Sequence, residues 1–180
     1  VRYSIKNPNS YFKNNLEVFF NILEVSRLYK INHLMFASTS SVYGKNFNYP
    51  SEENFNTDQP LSFYAATKKS NEIMAHVYAY NFNIKTTGIR FFTVYGPYGR
   101  PDMSILKFIN KIYKNKKIEV YNKGNNFRDF TYIDDVIDRL YFILNNKKNY
   151  NQKKRNIYNP NESLSNFKIF NMGNSQLIKM

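Results

Sequence analysis

The chain is expected to fold as an α/β protein built on a parallel sheet, and three observations carry that expectation. Segments of helical and strand-like patterning alternate along its 180 residues, and parallel strands require such crossovers between them. The first strand-like run, Leu34-Met35-Phe36-Ala37, is apolar on consecutive positions, as suits a strand covered on both faces. Apolar residues make up 42% and aromatic residues 18% of the chain, enough for one substantial core.

In order, the residues 11–29 place Phe12, Leu16, Phe19, Phe20, Leu23 and Leu28 on a helical stripe. His33 to Ala37 then reads as a strand, followed by the hydroxyl cluster Ser38-Thr39-Ser40-Ser41 and a turn at Tyr43-Gly44. A polar loop with Pro50 and Pro60 leads into a predicted helix over 62–82. A second strand is predicted over 86–92, ending before the turn Tyr95-Gly96-Pro97. Further on come a helix over 104–113, a short strand over 117–121, a helix over 133–144 and a last strand over 168–172. Asp134 and Asp135 suit the start of the 133–144 helix, where the peptide dipoles favour negative charge. No internal repeat is visible.

The bulk properties exclude several classes. There is no cysteine, so neither a disulfide framework nor a thiolate metal site is available, which suits a reducing compartment. No apolar run approaches the roughly 18 residues of a membrane span, and the reading is a cytoplasmic protein. The chain opens at Val1 and reads as a piece of a longer one. A net charge of +13 would suit nucleic acid, but no recognised binding motif accompanies it. Attraction of phosphorylated metabolites fits the spread lysines better. His33 and His76 stand apart without metal-ligand spacing and read as structural.

The chemistry concentrates at Tyr64 and Lys68. Four residues apart on a helix, a phenol and an ammonium share one face. Bringing a tyrosine from pKa 10 toward 7 takes about 4 kcal/mol, within reach of a close cation and a supporting hydroxyl in a dry cleft. Such a group can take a proton from a sugar hydroxyl while hydride leaves the same carbon. The same spacing also occurs where a half-buried tyrosine precedes a solvated lysine. In parallel sheets ligands bind beyond the carboxyl ends of the strands, where the hydroxyl cluster and the Phe92-Thr93 turn are both expected.

Taken together, Val1-Arg2-Tyr3-Ser4, Ala37 through Gly44, Tyr64 through Glu72, Arg90 through Pro97, Gly99 through Met103 and Arg128 through Asp135 resemble, in this order, the extended short-chain dehydrogenase/reductase family. Within it they look like the nucleotide-sugar epimerases that act on UDP-glucuronate. The resemblance implies a partial Rossmann-like doubly wound parallel sheet plus part of a smaller C-terminal substrate-binding region. Residues 1–97 would be the later part of the NAD-binding domain, and 98–180 mainly the substrate region, truncated and interleaved with the core. The implied cofactor is NAD, the substrate a UDP-sugar, and the assembly a homodimer through paired helices, with 11–29 and 62–82 as candidates.

By the same resemblance Tyr64 is the base for the 4-hydroxyl, Lys68 holds the nicotinamide ribose and lowers the tyrosine pKa, and Thr39 hydrogen-bonds the reacting hydroxyl. Ser38, Phe91 and Phe92 would line the cofactor. Ser40, Ser41 and Thr93 would hold the substrate carboxylate, Arg128 the diphosphate, Arg100 a substrate lid and Tyr121 the uracil. Related dehydratases and decarboxylating enzymes carry acidic residues just after the Thr39 position. Here Ser40 and Ser41 are neutral, which points to oxidation at C4, rotation of the 4-keto sugar and return of hydride to its other face. An epimerase or dehydratase for another nucleotide sugar is the nearest rival, followed by an inactive truncated fragment. No G-x-x-G-x-x-G occurs in the sequence, so the cradle that this family uses for the cofactor diphosphate is not among these residues.

Overall fold

A computed structural model describes residues 1–45, 48–146 and 163–179, and the chain divides into two compact units. The first contains residues 1–91 and 146–171, the second residues 92–145 and 172–180.

The first unit is built on three strands: β1 (His33–Thr39), β2 (Lys85–Phe91) and β5 (Phe167–Met172), in the order β1-β2-β5. β1 and β2 run parallel, with Ser38 opposite Arg90 and Thr39 opposite Phe91. The expected strand 33–37 thus extends two residues further, to Thr39. The helices are α1 (Arg2–Lys6), α2 (Pro8–Tyr11), a π-helical turn Phe12–Glu17, α3 (Val18–Leu28) and α4 (Phe63–Phe82). The stripe read over 11–29 is accordingly helical with a wider turn at its start. The core joins Phe19 and Leu23 of α3, Phe36 of β1, Ala75 and Ala79 of α4, and Phe167 and Ile169 of β5. Alanines on α4 let it lie close to its neighbours, and Gly88 does the same for β2: a Cβ there would come within 2.8 Å of the Phe36 ring and closer still to Ile169.

α4 begins where two serines satisfy backbone N–H groups that a helix start leaves free. Ser62 Oγ accepts the Ala65 N–H at 3.2 Å, and Ser4 Oγ, fully buried, accepts the Tyr64 N–H at 3.1 Å. The helix ends at Asn83 in the left-handed region, φ 53°, a conformation asparagine tolerates better than most residues.

The second unit has β3 (Thr93–Tyr95), β4 (Phe127–Tyr132) and β6 (Leu177–Lys179), in the order β3-β4-β6, with α5 (Ser104–Tyr113) and α6 (Ile133–Asn145). β3 is parallel to β4 and β6 antiparallel to it. The strand predicted over 117–121 is absent: Val120 is 55% exposed and the chain enters a 3-10 turn at Tyr121. Its apolar alternation has no face to bury, and alternation without burial does not hold a strand. β4 was not expected, because Phe127-Arg128-Asp129-Phe130 alternates poorly. Among the described residues no helix is long and apolar enough to cross a membrane.

Candidate active site

The first unit gathers its chemistry at the carboxyl ends of β1 and β2. Tyr64 and Lys68 sit in the first two turns of α4. Lys68 Nζ donates to the Ala37 carbonyl at 3.1 Å, on the strand that delivers Thr39 two residues later. Burial pushes the Lys68 amine below its usual value, since a partly dry setting disfavours the ammonium. Tyr64 is half-buried, with the Tyr11 ring edge-on at 6.0 Å between centroids. Asn15, on the π-helical turn, donates to Thr67 Oγ1 at 2.9 Å and ties that turn to the same helix.

The hydroxyl cluster divides its work. Thr39, 8% exposed, accepts the Ser41 N–H at 3.2 Å and so caps the 3-10 turn Ser40–Tyr43. Ser40 and Ser41 on that turn are half-buried. The turn closes at Gly44, φ 64°, where a Cβ would strike the Gln59 carbonyl oxygen, so both conformation and space require glycine. Ser38 turns inward and donates to Glu72 Oε1 at 2.6 Å. Phe91 is half-buried at the end of β2, in register with Thr39.

Sequence reasoning missed what lies behind these residues. Arg90, 2% exposed, makes a two-pronged contact with the Glu72 carboxylate, both bonds at 2.9 Å. Its remaining NH1 donates to Tyr43 Oη at 2.9 Å and to the Glu53 carbonyl at 3.1 Å. The guanidinium also stacks on the Tyr43 ring, 4.9 Å from its centroid. Tyr43 donates in turn to Asn171 Oδ1 at 2.6 Å, and Asn171 donates to the Ser51 carbonyl at 2.8 Å. Burial raises the Tyr43 pKa, against the opposing pull of Arg90. A usable signal was in the sequence: Arg90 interrupts the apolar run Ile89 to Phe92, and a charge inside a covered strand requires a partner.

The other predicted residues belong to the second unit. Phe92 donates its N–H to Met172 at 3.0 Å and its ring borders Gly173. Thr93 opens β3 opposite Phe130. Arg100 is exposed and forks onto Asp102, at 2.9 and 2.6 Å. Arg128 is exposed on β4, donates to the Phe127 carbonyl at 2.7 Å and lies opposite Ile178. Neighbouring Asp129 is engaged by the N–H groups of Asn174 and Ser175 at 2.9 and 2.8 Å. The Tyr121 backbone starts a 3-10 turn, and its side chain lies outside the described residues. Among the described residues no group of three or more His, Asp or Glu side chains could hold a metal.

Comparison with known proteins adds the following. The sequence model of the NAD dependent epimerase/dehydratase family matches residues 1–159. Protein CapI of Staphylococcus aureus is 47% identical over 181 residues, covering the whole of this chain and 54% of that protein. A probable UDP-glucuronate 4-epimerase of Rhizobium meliloti is 49% identical over 140 residues, 78% of this chain and 41% of the relative. Among solved structures, UDP-glucuronic acid 4-epimerase from Bacillus cereus, in complex with UDP-glucuronic acid and NAD, superposes with a TM-score of 0.79 at 33% identity. The match takes in 94% of this chain and 48% of that one. The chain spans about half the length of the curated relatives it matches.

Proposed function

Because the chain belongs to the NAD dependent epimerase/dehydratase family, we propose that the protein carrying it interconverts UDP-glucuronate and UDP-galacturonate at C4 with NAD. The supporting observation is the pairing of Tyr64 with Lys68 on one face of α4, with the Lys68 ammonium anchored two residues before Thr39. The likeness to the Rhizobium and Bacillus proteins supports the glucuronate assignment.

The residues present fit one end of the cofactor. Lys68, held by a backbone carbonyl that a ribose hydroxyl can replace, and Phe91, opposite Thr39 at the strand ends, suit a nicotinamide ribose. The sequence carries no glycine-rich turn for the diphosphate, so this chain alone is expected to hold NAD weakly. Bound NAD would supply the acceptor for the C4 hydride and return it.

In the proposed reaction Tyr64 takes the proton of the 4-hydroxyl and later gives it back. Lys68 stabilises the phenolate by its charge, and Thr39 steadies the reacting oxygen by a hydrogen bond. Ser40, Ser41 and Thr93 serve the substrate carboxylate, which accepts hydrogen bonds without a formal cation. Neither serine can act as the extra acid or base that elimination or decarboxylation needs. Arg128 suits the diphosphate because its planar fork matches phosphate oxygens, Arg100 is assigned to the lid, Tyr121 to the uracil and Phe92 to the nicotinamide. A role in surface polysaccharide synthesis in the cytoplasm follows from that product.

We also assign the protein as a homodimer. Val18, Ile22 and Val25 of α3 and Ile73, Val77 and Tyr80 of α4 are all more than 40% exposed, and apolar helix faces of this kind favour burial against a second copy. Purified full-length protein given UDP-glucuronate and UDP-glucose separately tests the substrate. Turnover of UDP-glucuronate alone, with a C4 epimer as product, is expected. Turnover of UDP-glucose alone would overturn the carboxylate assignment.

A further inference from the structure

One guanidinium reaches three of the segments that carry the candidate site. Arg90 precedes Phe91 on β2. Through Glu72 it reaches α4 one turn beyond Lys68, and the same carboxylate takes the Ser38 hydroxyl next to Thr39. Through Tyr43 it reaches the end of the turn that presents Ser40 and Ser41. A bidentate fork and a ring stacked beneath it fix direction as well as distance, which a point charge would not. Both carboxylate oxygens and the Tyr43 hydroxyl are engaged, so no member of the network can rotate without breaking a buried bond.

We propose that Arg90 is the positioning residue of the site: its Glu72 arm sets Tyr64 and Lys68 against Thr39, and its Tyr43 arm sets the Ser40-Ser41 turn that meets the substrate. The proposal rests on the epimerase reading above, and it separates two kinetic effects. Loosening the Glu72 arm disturbs the proton-transfer geometry, a loss felt in the transition state and hence in kcat. Loosening the Tyr43 arm disturbs ground-state contacts with the sugar carboxylate, which raises KM.

Replacing Arg90 itself risks the fold, so two lighter substitutions serve, each leaving the Arg90–Glu72 fork in place. In the full-length enzyme, Ser38→Ala removes the hydroxyl bond to Glu72, and Tyr43→Phe removes the bonds to Arg90 and Asn171 while keeping the ring under the guanidinium. Ser38→Ala is expected to lower kcat about tenfold with KM for UDP-glucuronate within about twofold. Tyr43→Phe is expected to raise KM about tenfold with kcat within about threefold. Retained NAD and a thermal midpoint within a few degrees of the parent are expected in both. The proposal is overturned if the two variants are folded with parental kcat and KM, if both parameters move together in each, or if Ser38→Ala loses NAD. Tyr64→Phe, run alongside, tests the base separately: full activity there would assign the proton to another group, and absence of any UDP-glucuronate turnover by the parent would sink the epimerase reading, whereas the kcat and KM split reports on the network that Arg90 anchors.

Discussion

Two arginine–carboxylate pairs in this chain share a geometry and differ in almost everything else. Arg90 and Glu72 meet at 2.9 Å with side chains 2% and 4% exposed, while Arg100 and Asp102 meet at 2.6 Å with side chains 74% and 56% exposed. The shorter contact is the weaker one. Water screens the surface pair and competes for both partners, leaving it little net stabilisation. The buried pair has surrendered its hydration and depends on its fork, so losing either partner strands a charge in a dry setting. The segments around Arg90 carry the proposed proton-transfer residues and are pinned from several sides. The Arg100–Asp102 pair, by contrast, spans two residues of one exposed turn and ties no second segment to it.

That contrast can be broken at several points. Glu72→Ala is expected to cost about 3–5 kcal/mol in urea unfolding, the penalty of leaving a buried guanidinium unpaired. A loss under about 1 kcal/mol would place the buried pair in the same class as the exposed one. Ser62→Ala removes one of the two serine caps on α4 and is expected to cost about 1 kcal/mol; no measurable change would mean that Ser4 suffices to start the helix.

His33 sharpens the comparison from the side of protonation. Burial, with some help from Lys85, lowers its pKa to about 4, while it holds a 2.8 Å hydrogen bond with Thr87. The folded state therefore prefers the neutral ring, so this contribution is complete above pH 6.5 and is lost as pH falls toward 4. With half-exposure discounted, thermal unfolding should show the parent losing about 1 kcal/mol more than His33→Gln over that range. Parallel pH curves would remove His33 from the account. The smallest effect is expected from Arg100→Ala, under about 0.5 kcal/mol in stability, and a larger loss would show that its turn is structural.

Much of this arrangement was legible from residues alone, for definite reasons. α4 was expected over 62–82 after the polar loop with Pro50 and Pro60, β1 from the apolar run that the hydroxyl cluster closes, and β2 over 86–92 before the turn Tyr95-Gly96-Pro97. Those signals are local, so they survive without knowledge of partners. β3 and β6 are three residues each, β6 is exposed throughout and β4 buries only Thr131, and they are held by pairing with one another; nothing in Thr93-Val94-Tyr95 alone distinguishes a strand from a turn. The strand expected over 117–121 failed for the converse reason, having pattern without a partner. At the candidate site, Tyr64 and Lys68 were proposed from their four-residue spacing and Thr39 from the family resemblance. Glu72, Tyr43 and Asn171 were not, because their partners lie 18, 47 and 128 residues away in sequence.

The central claim is that Tyr64 is the base and that the rest of the first unit serves to hold it. Its most direct test is the rate of C4 epimerisation of UDP-glucuronate by full-length protein carrying Tyr64→Phe, with bound NAD measured in the same sample. A loss of well over a hundredfold with NAD retained is the expected result. Activity close to the parent's, with the cofactor in place, would contradict it and assign the proton to another group.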